Sequence, residues 1–214
     1  ARTKDLVEKY VGSLPAAGRH DTWCDPNVNR PAGVAKKTFA IGTEPKARVV
    51  LTFHGPETWS RDTANDMAML GEVLRIRLRE VLREDMGGVY GVASSGFIQR
   101  RPKHVRLFTI SFGCAPENVE KLEKAAFAEI AALQKNGIAE TYIDKVKALR
   151  RRAHETELRE NGFWEHALER SFLYGDDPKL IVDFDTMLNK VSSDRVKAAA
   201  RKYLASSQYV LGEL

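Results

Sequence analysis

Cysteine is scarce in this chain. Only Cys24 and Cys114 occur, and neither has a second cysteine at zinc-ribbon spacing, which excludes a four-cysteine zinc module. A single disulfide between them stays open, and so sparse a usage carries no compartment signal. Histidine is limited to His20, His54, His104, His154 and His166. A zinc-peptidase helix places two histidines and a glutamate together as H-E-x-x-H or H-x-x-E-H. "HETEL" at 154 lacks the second histidine, "WEH" at 164–166 lacks the first, and His154 and His166 are too far apart to share one helical site. The expectation is that this chain supplies no metal ligands. The nucleophile elbow G-x-S-x-G, the Walker loop and the dinucleotide fingerprint G-x-G-x-x-G are missing as well.

Long apolar runs are also missing. No stretch reaches the roughly 18 apolar residues that a membrane helix needs. The opening "ARTKDLVEKYVGSLP" has no leader pattern and begins without Met in the middle of a helical repeat, as a piece of a longer chain would. Aromatics make up 8% of the chain, and the densest basic runs, "LRRRAH" and "IQRRPKH", do not interleave them. The 34 Lys and Arg exceed the 29 Asp and Glu by five charges, yet the two signs alternate, as in "RIRLREVLRED". That pattern describes a solvated surface and argues against a nucleic-acid partner.

What is there is globular: 43% hydrophobic and 29% charged residues in 214. A chain of this length can bury roughly 70% of its unfolded surface. "TKDLVEKYV" (3–11) reads as the end of an amphipathic helix stopped by "GSLPAAG", and the turn-rich stretch 20–33 reads as a linker. "VAKKTFAI" (34–41) and "ARVVLTF" (47–53) alternate as strands, and "GTEPK" between them predicts a hairpin. Ser60 or Asp62 caps a long helix reaching about Asp85, with Met67, Leu70, Leu74, Leu78, Val81 and Leu82 on its apolar face. "GVYGVASSGF" and "HVRLFTISFG" read as two more strands about the turn "QRRPK".

Pro116 opens a helix carrying Val119, Leu122, Ala126, Ile130 and Leu133, which Gly137 ends. Helical periodicity fills Glu140 to about Asn161, then pieces to Tyr174, 179–190 and 193–204, before a last strand, "QYVLGEL". Hairpin pairing with late helices predicts an α+β fold, an antiparallel sheet with helices mainly on one face. The opening "LVEKYVGSLP" faintly echoes "AARKYLASSQYVL" near the end, as expected where one repeat runs into the next. The expected division is 1–33 as the tail of a preceding segment plus linker, and 34–214 as the domain.

One junction, "LREDMGGVYGV" (82–92), carries chemistry. Arg83 falls in the last helical turn, Gly87 and Gly88 can stop the helix, and Tyr90 starts a strand. Two readings stand. Arg83 is a C-capping cation and Tyr90 a sheet residue, or the guanidinium and the phenol together address one peptide, binding a main-chain carbonyl and a developing oxyanion.

"LREVLREDMGGVYGV" resembles the C-terminal-half signature of the insulinase, pitrilysin and mitochondrial processing peptidase family, with nearest likeness to its PqqL-like bacterial zinc proteases. "LVEKYVGSLP", "ISFGCAPENVEKL" and "AARKYLASSQYVLGEL" are similar to further segments of that family, so the likeness covers most of the chain. The resemblance implies a half-domain of the LuxS-like processing-peptidase type. It also implies a zinc endopeptidase built of two halves. One half carries the inverse zinc motif, while the homologous other half has lost the metal and closes over the substrate. This chain, lacking H-x-x-E-H, matches the second. By the same resemblance Arg83 and Tyr90, supported by the backbone of Gly87 and Gly88, contact the substrate main chain. Zinc and the catalytic base lie in an N-terminal partner half, and the location is periplasmic or otherwise exported, with the cytoplasm still open. The alternative is a peptide-binding or structural subunit without proteolytic role.

Overall fold

The structure, a computed structural model, describes residues 2–15, 18, 20 and 22–214. The glycine-alanine part of the expected stop after the first helix falls in part outside them. That first helix, α1 (Arg2–Val7), continues into a π-helical turn (Glu8–Gly12) and buries nothing, so the apolar Leu6, Tyr10, Val11 and Leu14 stand in solvent.

Among the described residues, five strands make one sheet: β1 (Val34–Thr38), β2 (Ala47–Pro56), β3 (Val89–Gln99), β4 (Val105–Cys114) and β5 (Tyr209–Glu213), in the order β1-β5-β2-β4-β3. Strands β3 and β4 form the expected antiparallel pair, and β2 lies antiparallel to β4. The expected β1–β2 hairpin does not form. Strand β5 enters between them, antiparallel to β2 and parallel to β1. The physical reason is apolar content: β5 brings Leu211 to the core opposite Leu51, whereas β1 offers Lys36 and Lys37 and suits a sheet edge. Residues 39–46 are long enough to step over one strand.

Among the described residues, seven α-helices complete the α+β fold. Helix α2 (Arg61–Arg79) is capped by Ser60, whose hydroxyl accepts from the Thr63 N–H while Thr63 returns the bond. It is followed by a π-helical turn (Glu80–Asp85). The rest are α3 (Val119–Asn136), α4 (Glu140–Glu157), α5 (Asn161–Tyr174), α6 (Phe184–Asn189) and α7 (Ser193–Tyr203). Gly137, at φ +77°, ends α3 as expected.

Alternation in the strands fixes the layers. Val49, Leu51 and Phe53 of β2 pair with Phe112, Ile110 and Phe108 of β4, and all six are buried toward α2 and α3. On the opposite face Ala93, Ser95 and Phe97 of β3 remain exposed. The expected stripe of α2 is buried except Val81, which is only partly covered, and Met69, Gly71 and Val73 are buried too. Helix α2 touches α3, α4 and α7 as well as β3, so more than one of its faces is dry. The sheet and α2 thereby form a rigid platform with one bare face, and the α2–β3 junction sits at its corner.

Candidate functional site

The corner begins where α2 widens. The Met86 N–H donates to the Val81 carbonyl at 3.2 Å, the five-residue step of a π turn. Gly87 then takes φ +60° and donates to the Arg83 carbonyl (3.0 Å), and Gly88 donates to Leu82 (3.0 Å). A left-handed residue here closes the helix, and glycine adopts it without a Cβ penalty. A Cβ on Gly88 would stand 2.7 Å from Leu122 Cδ2, so α3 can seat against the turn only because residue 88 has no side chain. Both glycines therefore do the backbone work that their positions lead one to expect.

Strand β3 starts with a bulge. Val89 faces Cys114 and Gly91 faces Gly113, leaving Tyr90 as the extra residue. Val89 and, after the slip, Val92 both pack on the core, while Tyr90 turns outward with 68% of its surface exposed. Its Cδ2 lies 3.7 Å from where a Gly113 Cβ would be, so the ring rests across β4 on the bare face. Beside it a shallow depression of about 450 Å³ is lined by Arg48, Gly91, Ala93, Ser111 and Gly113, with Val92 and Phe112 beneath. Small side chains make this hollow.

Arg83 is exposed in the π turn, and Glu84 beside it pairs with Arg79 instead (3.5 Å). Among the described residues neither the Arg83 guanidinium nor the Tyr90 hydroxyl has a hydrogen-bond or ion-pair partner. The two residues anticipated from sequence thus lie before and after the Gly87–Gly88 turn, each unpaired among the described residues. Arg48 was not singled out from sequence. Its signal was its place out of phase with Val49, Leu51 and Phe53, which puts a cation on the bare face next to Tyr90.

The histidines have other surroundings. His154 stacks on Phe184 with ring centroids 4.1 Å apart, and His166 is exposed near Glu169 (3.8 Å). His54, 6% exposed at the end of β2, meets Gln208 Nε2 at 3.2 Å. Burial first, then the charges of Arg30 and Arg106, hold its imidazole below the usual range and therefore neutral. Among the described residues no three His, Cys, Asp or Glu side chains come together as metal ligands. Cys24 is exposed and Cys114 buried, each a free thiol. No described helix is long and apolar enough to cross a membrane.

Known proteins share this architecture. Over 208 residues, 96% of this chain, it is 24% identical to "Probable zinc protease PqqL" of Haemophilus influenzae, of which it spans 22%. The periplasmic protease PqqL of Escherichia coli superposes over the whole chain with a TM-score of 0.77 at 21% identity, using 24% of that protein. The first half of the same protease also superposes, over 99% of this chain and 48% of that half, with a TM-score of 0.78 at 12% identity. One fold therefore recurs along that protease. Residues 1–150 match the family described as "Peptidase M16 inactive domain". By that match, the chain belongs to the M16 peptidase inactive-domain family, the non-catalytic kind of domain in a family of zinc proteases.

Proposed function

We propose that this chain is the substrate-gripping half of a zinc metalloendopeptidase and that Arg83 and Tyr90 are the gripping groups. Residues 34–214 are the half-domain proper, and residues 1–33 are the tail of the segment before it plus a linker. The observation that carries this reading is the α2–β3 corner: a guanidinium and a phenol without partners among the described residues, either side of a turn that requires Gly87 and Gly88, in an inactive M16 domain. A guanidinium offers several N–H donors to a peptide carbonyl, and a phenol O–H can donate to the oxyanion of a tetrahedral intermediate. The hollow of Gly91, Ala93, Ser111 and Gly113 leaves room for an extended backbone beside them, with Arg48 adding positive potential.

Hydrolysis then needs a zinc-bearing N-terminal half that faces this corner and supplies the metal and the base. Zinc belongs to that half of the parent enzyme, the substrate is a peptide, and the compartment is the periplasm or another exported one, as in the Escherichia coli protease.

The test uses the full-length parent. Arg83→Ala and Tyr90→Phe should each lower turnover of an unstructured peptide by roughly tenfold to a thousandfold, the range for losing one oxyanion donor. Zinc content and the fold of the chain should stay as they were. Unchanged turnover in both variants would remove the two side chains from the reaction.

A further inference from the structure

At the opposite end of the sheet from Tyr90 lies a cavity of about 800 Å³. Its floor is the end of β2 (His54, Gly55, Pro56) with Gln99, Val105 and Arg106, and residues 23–32 cross over it as a wall. Charges are unequal there. Among the described residues the lining holds Arg30, Lys103 and Arg106 against one acid, Asp25, and Lys103 already binds Asp25 at 2.5 Å. Arg106 is the telling residue. It is largely covered, and its Nη1 donates to the Tyr203 carbonyl (3.0 Å), but no carboxylate salt bridge reaches it among the described residues. The nearby Glu57 is taken by Lys202 (2.7 Å).

A half-buried guanidinium whose nearest described acid, Glu57, is already bound to Lys202 is only partly compensated, because desolvation disfavours its charge. An anion in the cavity would offset that cost. The surroundings hold it in place: its Nη2 lies 3.0 Å from where a Gly55 Cβ would be, so residue 55 leaves the guanidinium its room. Gln208 braces the floor by accepting from the Gly33 N–H (2.8 Å) and donating to His54. Because His54 is neutral, the positive potential comes from the guanidinium groups of Arg30 and Arg106 rather than from the imidazole. The remaining wall is apolar: Trp23, Pro26, Val28, Pro56 and Pro102.

We infer that this cavity is an anchor for a carboxylate carried on an apolar residue, namely the free C-terminus of a bound peptide. Arg106 and Arg30 meet the carboxylate, and Trp23, Val28 and the prolines meet the last side chain. The peptide origin rests on the proposed peptide-gripping function; the anion subsite itself does not. An anchor at the end of the sheet remote from Arg83 and Tyr90 would fix a peptide by its terminus while an interior bond lies at the other corner.

The experiment is a calorimetric titration of the chain with acetyl-Ala-Ala-Phe, as free acid and as C-terminal amide, with the acid repeated at higher salt. The acid should bind at least about tenfold more tightly than the amide, and added salt should weaken it, as charge-assisted bonding requires. Arg106→Gln should abolish that preference. Arg30→Gln, on the exposed wall, should reduce it without disturbing the fold, which covers the case of Arg106→Gln misfolding. The gripping corner acts on main-chain groups that acid and amide share, so its failure leaves the acid-over-amide ratio in place and is distinguishable from failure of the anchor. Sodium acetate competing as well as the tripeptide acid would keep the anion subsite and overturn the peptide terminus as its occupant. Equal binding of acid and amide, or full binding by both arginine variants, would overturn the anchor altogether.

Discussion

Two arginines, one near the C-terminal end of α2 and one in its π turn, are treated in opposite ways. Arg77 is tied on every side: its guanidinium grips Glu129 with two N–H groups (2.8 and 3.3 Å), while Nη1 reaches Glu80 (2.9 Å) and the Tyr142 hydroxyl (2.9 Å). Tyr142 in turn donates to Glu80 at 2.6 Å. The hydrogen bond it donates to Glu129 leads the effects that raise the Arg77 pKa further, so its charge is permanent. Arg83, six residues later, and Tyr90 have no such partners among the described residues. A satisfied pair joins α2 to α3 and α4 and needs nothing from outside. Arg83 and Tyr90 make no such bonds, and under the proposed function their donors serve a peptide. The contrast is between a bonded and an unbonded use of the same two residue types.

The contrast is most open to breakage at its free member. Arg83→Ala and Tyr90→Phe should remove up to a thousandfold of turnover in the full-length parent and shift the thermal midpoint of this chain by little. A clear drop in that midpoint would mean that the corner is structural after all. Arg77→Ala should do the reverse. Breaking the paired network leaves Glu129, only 13% exposed in its side chain, without its cation. Discounted for partial exposure, this should cost about 2–3 kcal/mol, a fall of roughly 4–12 °C in a chain of this size. Melting followed by circular dichroism reads it, and an unshifted midpoint would erase the distinction between the pairs.

The next effect sharpens where the free pair gets its geometry. Gly88→Ala drives a Cβ into Leu122 and should cost about 1–3 kcal/mol. Gly87→Ala forces an L residue to φ +60° and should cost about 1–2 kcal/mol. Both should also lower turnover in the parent, because Tyr90 follows directly from this turn. Loss of stability with turnover fully retained would show that the phenol's placement does not depend on the glycines.

These pairs also mark how far the sequence could be read. The corner was legible because its signals are local: a helical stripe, two adjacent glycines and a strand onset within eleven residues, "LREDMGGVYGV". Helix α3, from Pro116 to the Gly137 stop, was legible for the same reason. The Arg77 network was not, because its partners come from three separate segments and each charge looks like an ordinary surface residue in its own stretch. The order of β1 and β5 was hidden likewise. A parallel partner more than 170 positions away leaves no periodic trace, whereas "GTEPK" imitates a hairpin turn. The bulge at Tyr90 escaped because one extra residue does not disturb an alternation that starts there. Met69 and Val73 fell outside the expected stripe because α2 is covered by helices as well as by the sheet.

A third group of charges stands between the two extremes, half satisfied, and yields the smallest and most pH-sensitive effect. Glu123 of α3 is 9% exposed, with Oε1 lacking a partner, and it meets Glu213 of β5 and Lys36 of β1. Burial first, and then Glu213, push the Glu123 carboxyl up to about 7. Glu213 moves the other way, to about 2: burial opposes ionisation, but hydrogen bonds from Glu123, Lys36 and Thr38 more than offset it. The pair therefore holds one proton across most of the acid range. Cys114, whose thiol is pushed up by burial and then by Glu117 and Glu123, stays neutral beside it. The raised group contributes stability that is complete below its unfolded pKa of 4.5 and is lost as pH rises through about 7. The depressed group contributes above 4.5 and loses its share only as pH falls through about 2. Edge strand β1 should consequently loosen from β5 and α3 as pH rises from roughly 4.5 to about 7, without any change at the Arg77 network. Glu123→Gln keeps a donor toward Glu213 and removes the titration, so its thermal midpoint should lie flat over that interval and exceed the parent value at the alkaline end. A slope that survives in Glu123→Gln would assign the pH dependence to another group and leave this edge as indifferent to protons as the paired network on α2.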